Sequence, residues 1–376
     1  MRLAKEVEVV KKSGESGDAD ALSSRNEIRE NREVRPRKNG DCAVQIVEFP
    51  ATTFGKTFAR PAPMLRFANE GQRDAWAVIL AGGDGTRLQK LTSKIAGDSR
   101  PKQFCRIFGN KSLLGHTRER LRPIFRETRT MFVVTKAHEE FYKNELSDAP
   151  GSNLVVQPAN RGTGVAIATA VLQILQHDPD AIVAFFPSDH YFADDEGFQA
   201  TVGSAITLAT QRPESLILVG APPRWPEVEY GWIEPGPESI GADGISVRRV
   251  ARFWEKPPLG TAVRLMRGGG LWNTFITIGH SHAFLDLLMS TIPPVVSEIA
   301  AAHARRDMDP AYRDVERIDF STHVLSRHAE RLLVISDGSS RWTDLGNENR
   351  VIGMLVENQI EPPWLQEIGQ ETPLLN

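Results

Sequence analysis

The chain reads as an α/β protein with a mostly parallel central sheet and helices on both faces, and three observations carry that expectation. Short apolar runs with no charge alternate with longer amphipathic segments, which is the pattern of strands feeding helices. Several of these runs break at one end into glycine, asparagine, aspartate or arginine, and the carboxyl ends of parallel strands are where such sheets bind ligands. The 376 residues, 40% hydrophobic and 25% charged, are enough to bury a full core.

Composition narrows the function. A formal net charge of -3 argues against broad nucleic-acid or membrane-surface binding, which shows as a basic excess. Cys42 and Cys105 make neither a disulfide framework nor a C-x-x-C spacing, so a reducing, cytoplasmic setting is expected. The first residues carry charges of both signs and no apolar h-region, and no run reaches membrane-spanning length. Residues 1–74 differ in composition from the rest of the chain, with charge runs and then Pro36, Pro50, Pro61 and Pro63. They are expected to form a disordered extension, with Met64 as an alternative translation start. Residues 75–358 make the folded domain and 359–376 a C-terminal tail. No internal repeat is found.

The first strand, Trp76-Ala77-Val78-Ile79-Leu80-Ala81, opens into Gly82-Gly83-Asp84-Gly85-Thr86-Arg87-Leu88, with Arg100-Pro101-Lys102-Gln103-Phe104 beyond it. Glycines let backbone N–H groups approach an anion, and arginine adds a planar set of charged donors, so the stretch suits a phosphate. A plain Gly-rich turn remains the alternative. The loop is not a P-loop, because Thr86-Arg87 follows Gly85. Nor is it the dinucleotide fingerprint, because Leu88 stands where the third glycine belongs.

Residues 112–125 read as a helix capped by Ser112, 131–135 as a strand and 136–146 as a helix. The strand Leu154-Val155-Val156-Gln157 leads to Asn160-Arg161-Gly162-Thr163-Gly164 and a helix bearing Val165, Ala168, Leu172 and Leu175. Gln157, Asn160 and Thr163 offer donors and acceptors suited to a base edge, or to an ordinary capped turn. The most apolar strand, 181–187, ends in Ser188-Asp189-His190, where Asp189 suits a hard cation or a helix cap. His190 reads as structural. A strand from Leu216 to Gly220 precedes Glu229-Tyr230-Gly231-Trp232-Ile233, and 245–254 ends in Glu255-Lys256-Pro257, followed by Thr261-Ala262 on a helix. Leu271-Trp272-Asn273-Thr274-Phe275-Ile276 comes next, then helical segments 282–292, 295–307 and 320–329. The last strand, 331–336, leads to Trp342-Thr343-Asp344-Leu345-Gly346. His280 and His282 lack a third ligand at zinc spacing.

In this order the motifs resemble those of the sugar-1-phosphate nucleotidylyltransferases, particularly the mannose-1-phosphate guanylyltransferase branch, over 76–354. The resemblance implies a Rossmann-like α/β/α nucleotidyltransferase fold, similar to glycosyltransferase A, with a smaller sugar-binding part. It implies an NTP, favoured GTP, and a sugar 1-phosphate, favoured mannose 1-phosphate, as substrates, with Mg²⁺ as cofactor. Gly82, Gly83, Gly85 and Thr86 would cradle the triphosphate, with Arg87 and Lys102 as the catalytic cations. Gln157, Asn160, Arg161, Gly162 and Thr163 would meet the base. Tyr230, Gly231, Glu255, Lys256 and Asn273 would hold the sugar phosphate, and Asp189 and Asp344 the metal. No nucleic acid or membrane partner is implied, and a homo-oligomer is left open. Two positions depart from the family pattern, Glu229 and Phe275, each where the family has glycine. They keep open another sugar, or a homologue that binds without turnover.

Overall fold

A computed structural model describes residues 74–239, 246–338 and 341–371. The expected extension lies outside them apart from Asp74, as do Met64 and Ile245.

Among the described residues nine strands form one sheet: β1 (Trp76–Leu80), β2 (Thr130–Thr135), β3 (Leu154–Gln157), β4 (Ile182–Pro187), β5 (Leu216–Ala221), β6 (Gly231–Ser239), β7 (Val247–Glu255), β8 (Leu271–His280) and β9 (Leu332–Ser336). Their order is β3-β2-β1-β4-β8-β5-β9-β7-β6. The helices are α1 (Gln89–Ala96), α2 (Leu113–Leu121), α3 (Glu139–Glu145), α4 (Thr163–Leu175), α5 (Asp195–Gln211), α6 (Leu259–Arg267), α7 (Ser281–Thr291), α8 (Pro293–Arg305), α9 (Asp309–Asp314), α10 (Phe320–His323), α11 (Glu348–Glu357) and α12 (Pro363–Glu371). None of them is long and apolar enough to cross a membrane.

The first half follows the expected pattern. β1, β2, β3 and β4 pair in parallel, because each is returned to the same edge by a crossover. Both faces of β1 are buried, Ala77 and Ile79 in one apolar cluster and Trp76 and Val78 in another, which is why the strand reads as an unbroken apolar run. Ser112 caps α2 as expected, its Oγ accepting from Gly115 N at 2.9 Å.

The second half departs from simple alternation. β7 and β8 run against the other strands, and β8 lies between β4 and β5. β5, β9, β7, β6 and β8 close a circuit of pairings, which brings the start of β6, the end of β7 and the start of β8 to the same edge as the carboxyl ends of β1 and β4. The expected helix over 320–329 is the single turn α10, followed by 3₁₀ turns at Leu325–Arg327 and Ala329–Arg331.

A third apolar cluster, with Leu88, Leu91, Cys105, Leu113, Leu345, Met354 and Trp364, packs the opening loop and α1 against α11 and α12. Within the span expected as a tail, Trp364 is buried and its Nε1 donates to the Ile107 carbonyl at 2.8 Å. That cluster holds Arg87 and Asp344 on neighbouring segments.

Candidate active site

The loop after β1 is shaped by contacts that only glycine permits. A Cβ on Gly82 would meet Gln157 Nε2 and Thr135 Oγ1, both at 2.8 Å, and Gly85 has φ 63 with Lys102 N 2.9 Å from such an atom. Buried Gln103 ties the loop down, its Nε2 donating to the carbonyls of Ala81 at 2.9 Å and Gly83 at 2.7 Å. Gly83 faces open space, and Thr86 and Arg87 are exposed. Arg87 pairs with no carboxylate among the described residues, so its charge is free for a ligand. Arg100, by contrast, forks onto Asp98 at 2.8 and 2.6 Å and lies over Phe141.

The residues expected at the base divide into two groups. Gln157 and Asn160 face the loop: Gln157 is buried beside Gly82, and Asn160 Nδ2 donates to Asp84 Oδ2 at 2.9 Å. Arg161, Gly162 and Thr163 are instead committed to the chain's own segment before α10. Arg161 donates to the Tyr312 and Arg313 carbonyls, each at 2.8 Å. A Cβ on Gly162 would lie 2.3 Å from the Ile318 carbonyl oxygen, and Gly164 N donates to that oxygen at 2.8 Å. Thr163 Oγ1 accepts from Phe320 N at 2.9 Å. The amino end of α4, expected to face the base, is thus capped internally.

The two predicted metal ligands come together through an isolated bridge between Tyr191 and Thr343, which lays Ser188-Asp189-His190 alongside Trp342-Thr343-Asp344. Lys102 Nζ lies 3.2 Å from Asp189 Oδ2 and donates to the Asp344 carbonyl at 2.6 Å, so the ammonium knits the two segments rather than projecting outward. Asp344 Oδ1 accepts from Tyr230 Oη at 3.1 Å, Gly346 N at 2.8 Å and Arg350 Nη1 at 3.0 Å, whereas Oδ2 takes one longer contact, 3.2 Å, from Arg350. Burial works against its charge, but Lys102 and Arg350 among others outweigh it and hold the carboxyl below the usual range. Among the described residues no three His, Cys, Asp or Glu side chains gather as a metal cage. Two carboxylates suffice for Mg²⁺ when substrate phosphates supply the other oxygens, and Asp189 Oδ1 and Asp344 Oδ2 are the oxygens least used by the protein. The donor set therefore fits a hard divalent cation.

Trp342 Nε1 donates to His190 Nδ1 at 3.1 Å, which places the ring proton on Nε2. Burial lowers this histidine to about 4, so it is a neutral prop beside Asp189.

At the sugar side, Gly231 pairs with Glu255 across β6 and β7, and a Cβ on it would meet Glu255 Oε2 at 3.1 Å and Asn273 Cβ at 3.4 Å. Gly231, Glu255 and Asn273 thus share one surface. Asn273 Oδ1 accepts from Phe275 N at 3.1 Å, and no hydrogen bond engages its amide nitrogen among the described residues. The Glu255 carboxylate takes no hydrogen bond among the described residues, and burial together with the Asp319 charge raises it, against Lys256. Lys256 is exposed, 4.0 Å from Glu255. Tyr230 is instead buried, against the rings of Trp272 and Trp342, and its hydroxyl donates to Asp344.

The two departures from the family pattern are engaged elsewhere: Phe275 packs against one of the apolar core clusters, and Glu229 bonds Arg350. Phe275, where the family pattern has glycine, has a left-handed backbone, φ 70, on a bulge where β8 carries extra residues against β5. Glu229 turns to Arg350 Nη2, 2.7 Å away, and Asn347. Two residues escaped sequence reasoning. Arg350 binds Glu227, Glu229 and Asp344 at once and lies over the Tyr230 ring, with 7% of its side chain exposed. Asp319 caps α10 and stands between Thr163 and Glu255. Neither carries a local signal beyond an ordinary helix-terminal charge.

A family model described as nucleotidyl transferase matches residues 76–354. The chain is 29% identical over 291 residues to the mannose-1-phosphate guanylyltransferase of Escherichia coli (strain K12), covering 73% of this chain and 59% of that protein. It is 32% identical over 280 residues to the alginate biosynthesis protein AlgA of Pseudomonas fluorescens, covering 72% and 56%. In structure it is similar to a Thermus thermophilus protein described as a mannose-1-phosphate geranyltransferase, with TM-score 0.64 and 27% identity over 74% of this chain and 79% of that one. The chain thus spans less than three fifths of the length of these curated relatives.

Proposed function

Because the chain belongs to the nucleotidyl transferase family, we propose that it joins GTP and mannose 1-phosphate to give GDP-mannose and pyrophosphate. The observation that carries this reading is the convergence at one sheet edge of the free Arg87 loop, the Asp189 and Asp344 pair, and the surface shared by Gly231, Glu255 and Asn273. The names of the curated relatives favour the guanylyl and mannose halves.

The chemistry required is the approach of two anions. A phosphate oxygen of the sugar 1-phosphate forms a bond to the α-phosphorus while the bond to pyrophosphate breaks, and no proton need move. Positioning and charge neutralisation therefore dominate. Gly82, Gly83, Gly85 and Thr86 line the triphosphate side, where Arg87 neutralises the departing pyrophosphate. Gln157 and Asn160 lie where the base would sit. Lys102 fixes Asp189 against the 344–345 backbone, so its part is to set the carboxylate in place. Glu255 and Asn273 offer an acceptor and a donor to sugar hydroxyls, and exposed Lys256 can swing to the sugar phosphate. Asp189 and Asp344 would hold Mg²⁺, which supplies charge for the phosphates of both substrates.

Incubating the protein with each NTP and a panel of sugar 1-phosphates plus Mg²⁺, and measuring pyrophosphate, tests this. Release with GTP and mannose 1-phosphate above every other pair is expected. Release only with another sugar would move the substrate, and no release with any pair would refute the reaction.

A further inference from the structure

Arg350 contacts Asp344 yet is given no part in the proposed transfer. Its guanidinium is buried with three carboxylates: Nη1 lies 3.0 and 3.2 Å from Asp344 Oδ1 and Oδ2, and Nη2 lies 3.0 Å from Glu227 and 2.7 Å from Glu229. One of these partners, Glu229, replaces a glycine of the family pattern, so this chain has added a carboxylate on the far side of the guanidinium from Asp344. Asn347, which caps α11 through its bond to Arg350 N, donates to the same Glu229 oxygen at 3.3 Å. The arrangement gives one cation two sets of partners, the cation ligand on one side and a glutamate pair on the other.

We infer that Arg350 is a positioning residue that competes with the divalent cation for Asp344, and that Glu227 and Glu229 draw it away. The inference rests on the proposed placement of the cation at Asp189 and Asp344.

Two opposed effects decide its sign. Arg350 helps orient Asp344, so removing it loosens the ligand. Yet Tyr230 Oη and Gly346 N still hold Oδ1, and Tyr230 is itself wedged between Trp272 and Trp342. Against that small loss stands the repulsion between a guanidinium and a dication on the same carboxylate. A few ångström apart at an effective dielectric near 20, such repulsion corresponds to well over about tenfold in affinity. Repulsion therefore wins.

Titrating the full-length protein with Mn²⁺ in the absence of nucleotide, and following free Mn²⁺ by its electron paramagnetic resonance signal, tests this without turnover. Arg350→Ala is expected to bind Mn²⁺ about tenfold tighter or more. Glu229→Gln, on an exposed side chain, is expected to bind it severalfold weaker, because the guanidinium then rests on Asp344. Arg350→Lys, which keeps the charge, should stay near the wild type. Equal or weaker binding by Arg350→Ala, or shifts of both variants in the same direction, would overturn the inference, as would Arg350→Ala binding that does not depend on Asp189. If Arg350→Ala fails to fold, the direction of the Glu229→Gln shift decides. Wild-type binding that survives Asp189→Ala would instead refute the cation's placement.

Discussion

At Phe275 the backbone stands at φ 70, a region that costs a bulky L-residue roughly 1–3 kcal/mol. Comparing Phe275→Gly with Phe275→Ala isolates that strain, since both remove the ring. The glycine variant is expected to be more stable than the alanine variant by roughly 0.5–1 kcal/mol in urea denaturation, the reverse of the usual order. The opposite ranking would mean that the bulge relaxes when the ring is gone. Cys105 gives a second test at this scale. Burial pushes its thiol up to about 11, so at pH 8 only about one molecule in a thousand carries the thiolate. Peptide mapping after iodoacetamide treatment should find Cys105 unmodified in the folded protein and alkylated after denaturation. Labelling of Cys105 in the folded state would show the cluster around α1, α11 and α12 to be open. Glu229 shows what single residues conceal in a sequence. Standing where the family pattern has glycine, it kept another sugar open, yet its direction is set by Arg350, 121 positions away.

Among elements, the amino end of α4 shows most clearly how a local pattern can mislead. Gly162 and Thr163 were expected to meet a base edge, with an ordinary capped turn as the alternative, and the segment leading into α10 occupies that end of α4 through the Ile318 carbonyl and the Phe320 amide. That partner lies over 150 residues downstream, and no spacing near the glycines records it. Gly162→Ala should therefore act on stability: its Cβ would strike the Ile318 oxygen at 2.3 Å from a backbone at φ 87. A loss of roughly 2–4 kcal/mol is expected in chemical denaturation, through strain and displacement of the 318–320 segment. Gly83→Ala, facing open space, should leave stability within about 0.5 kcal/mol. Equal stability of the two variants would mean that the 318 segment does not cap α4. Strands β1, β2 and β4 were legible because each apolar run is buried on both faces and bounded by turn residues, and edge strand β3 was legible from its apolar run although Val156 is exposed, whereas α1 carried no signal that was read. The reversal of β7 and β8 was not legible, since neither the half-buried alternation of β7 nor the nearly fully buried run of β8 records which way a strand points.

Over the whole molecule, order of motifs carried more than any motif alone. The Arg87 loop, Asp189, Glu255, Asn273 and Asp344 are spread over most of the folded chain, and the sheet brings them to one edge because β6, β7 and β8 fold back onto β5 and β9. What the sequence left unreadable was how cations divide their work. Lys102 and Arg161 are spent on carbonyls of the protein, Arg350 on three carboxylates, and Arg87 alone of the four has no carboxylate partner among the described residues. The catalytic claim thus rests most heavily on Arg87 and Asp189. The direct test is to mix GTP, mannose 1-phosphate and Mg²⁺ with the wild type, Arg87→Ala and Asp189→Ala, and to follow products by ³¹P NMR. GDP-mannose and pyrophosphate should form in equal amounts with the wild type and on the order of 10²-fold more slowly, or worse, with either variant. Undiminished product from either variant, or GDP and inorganic phosphate in place of the sugar nucleotide, would contradict it.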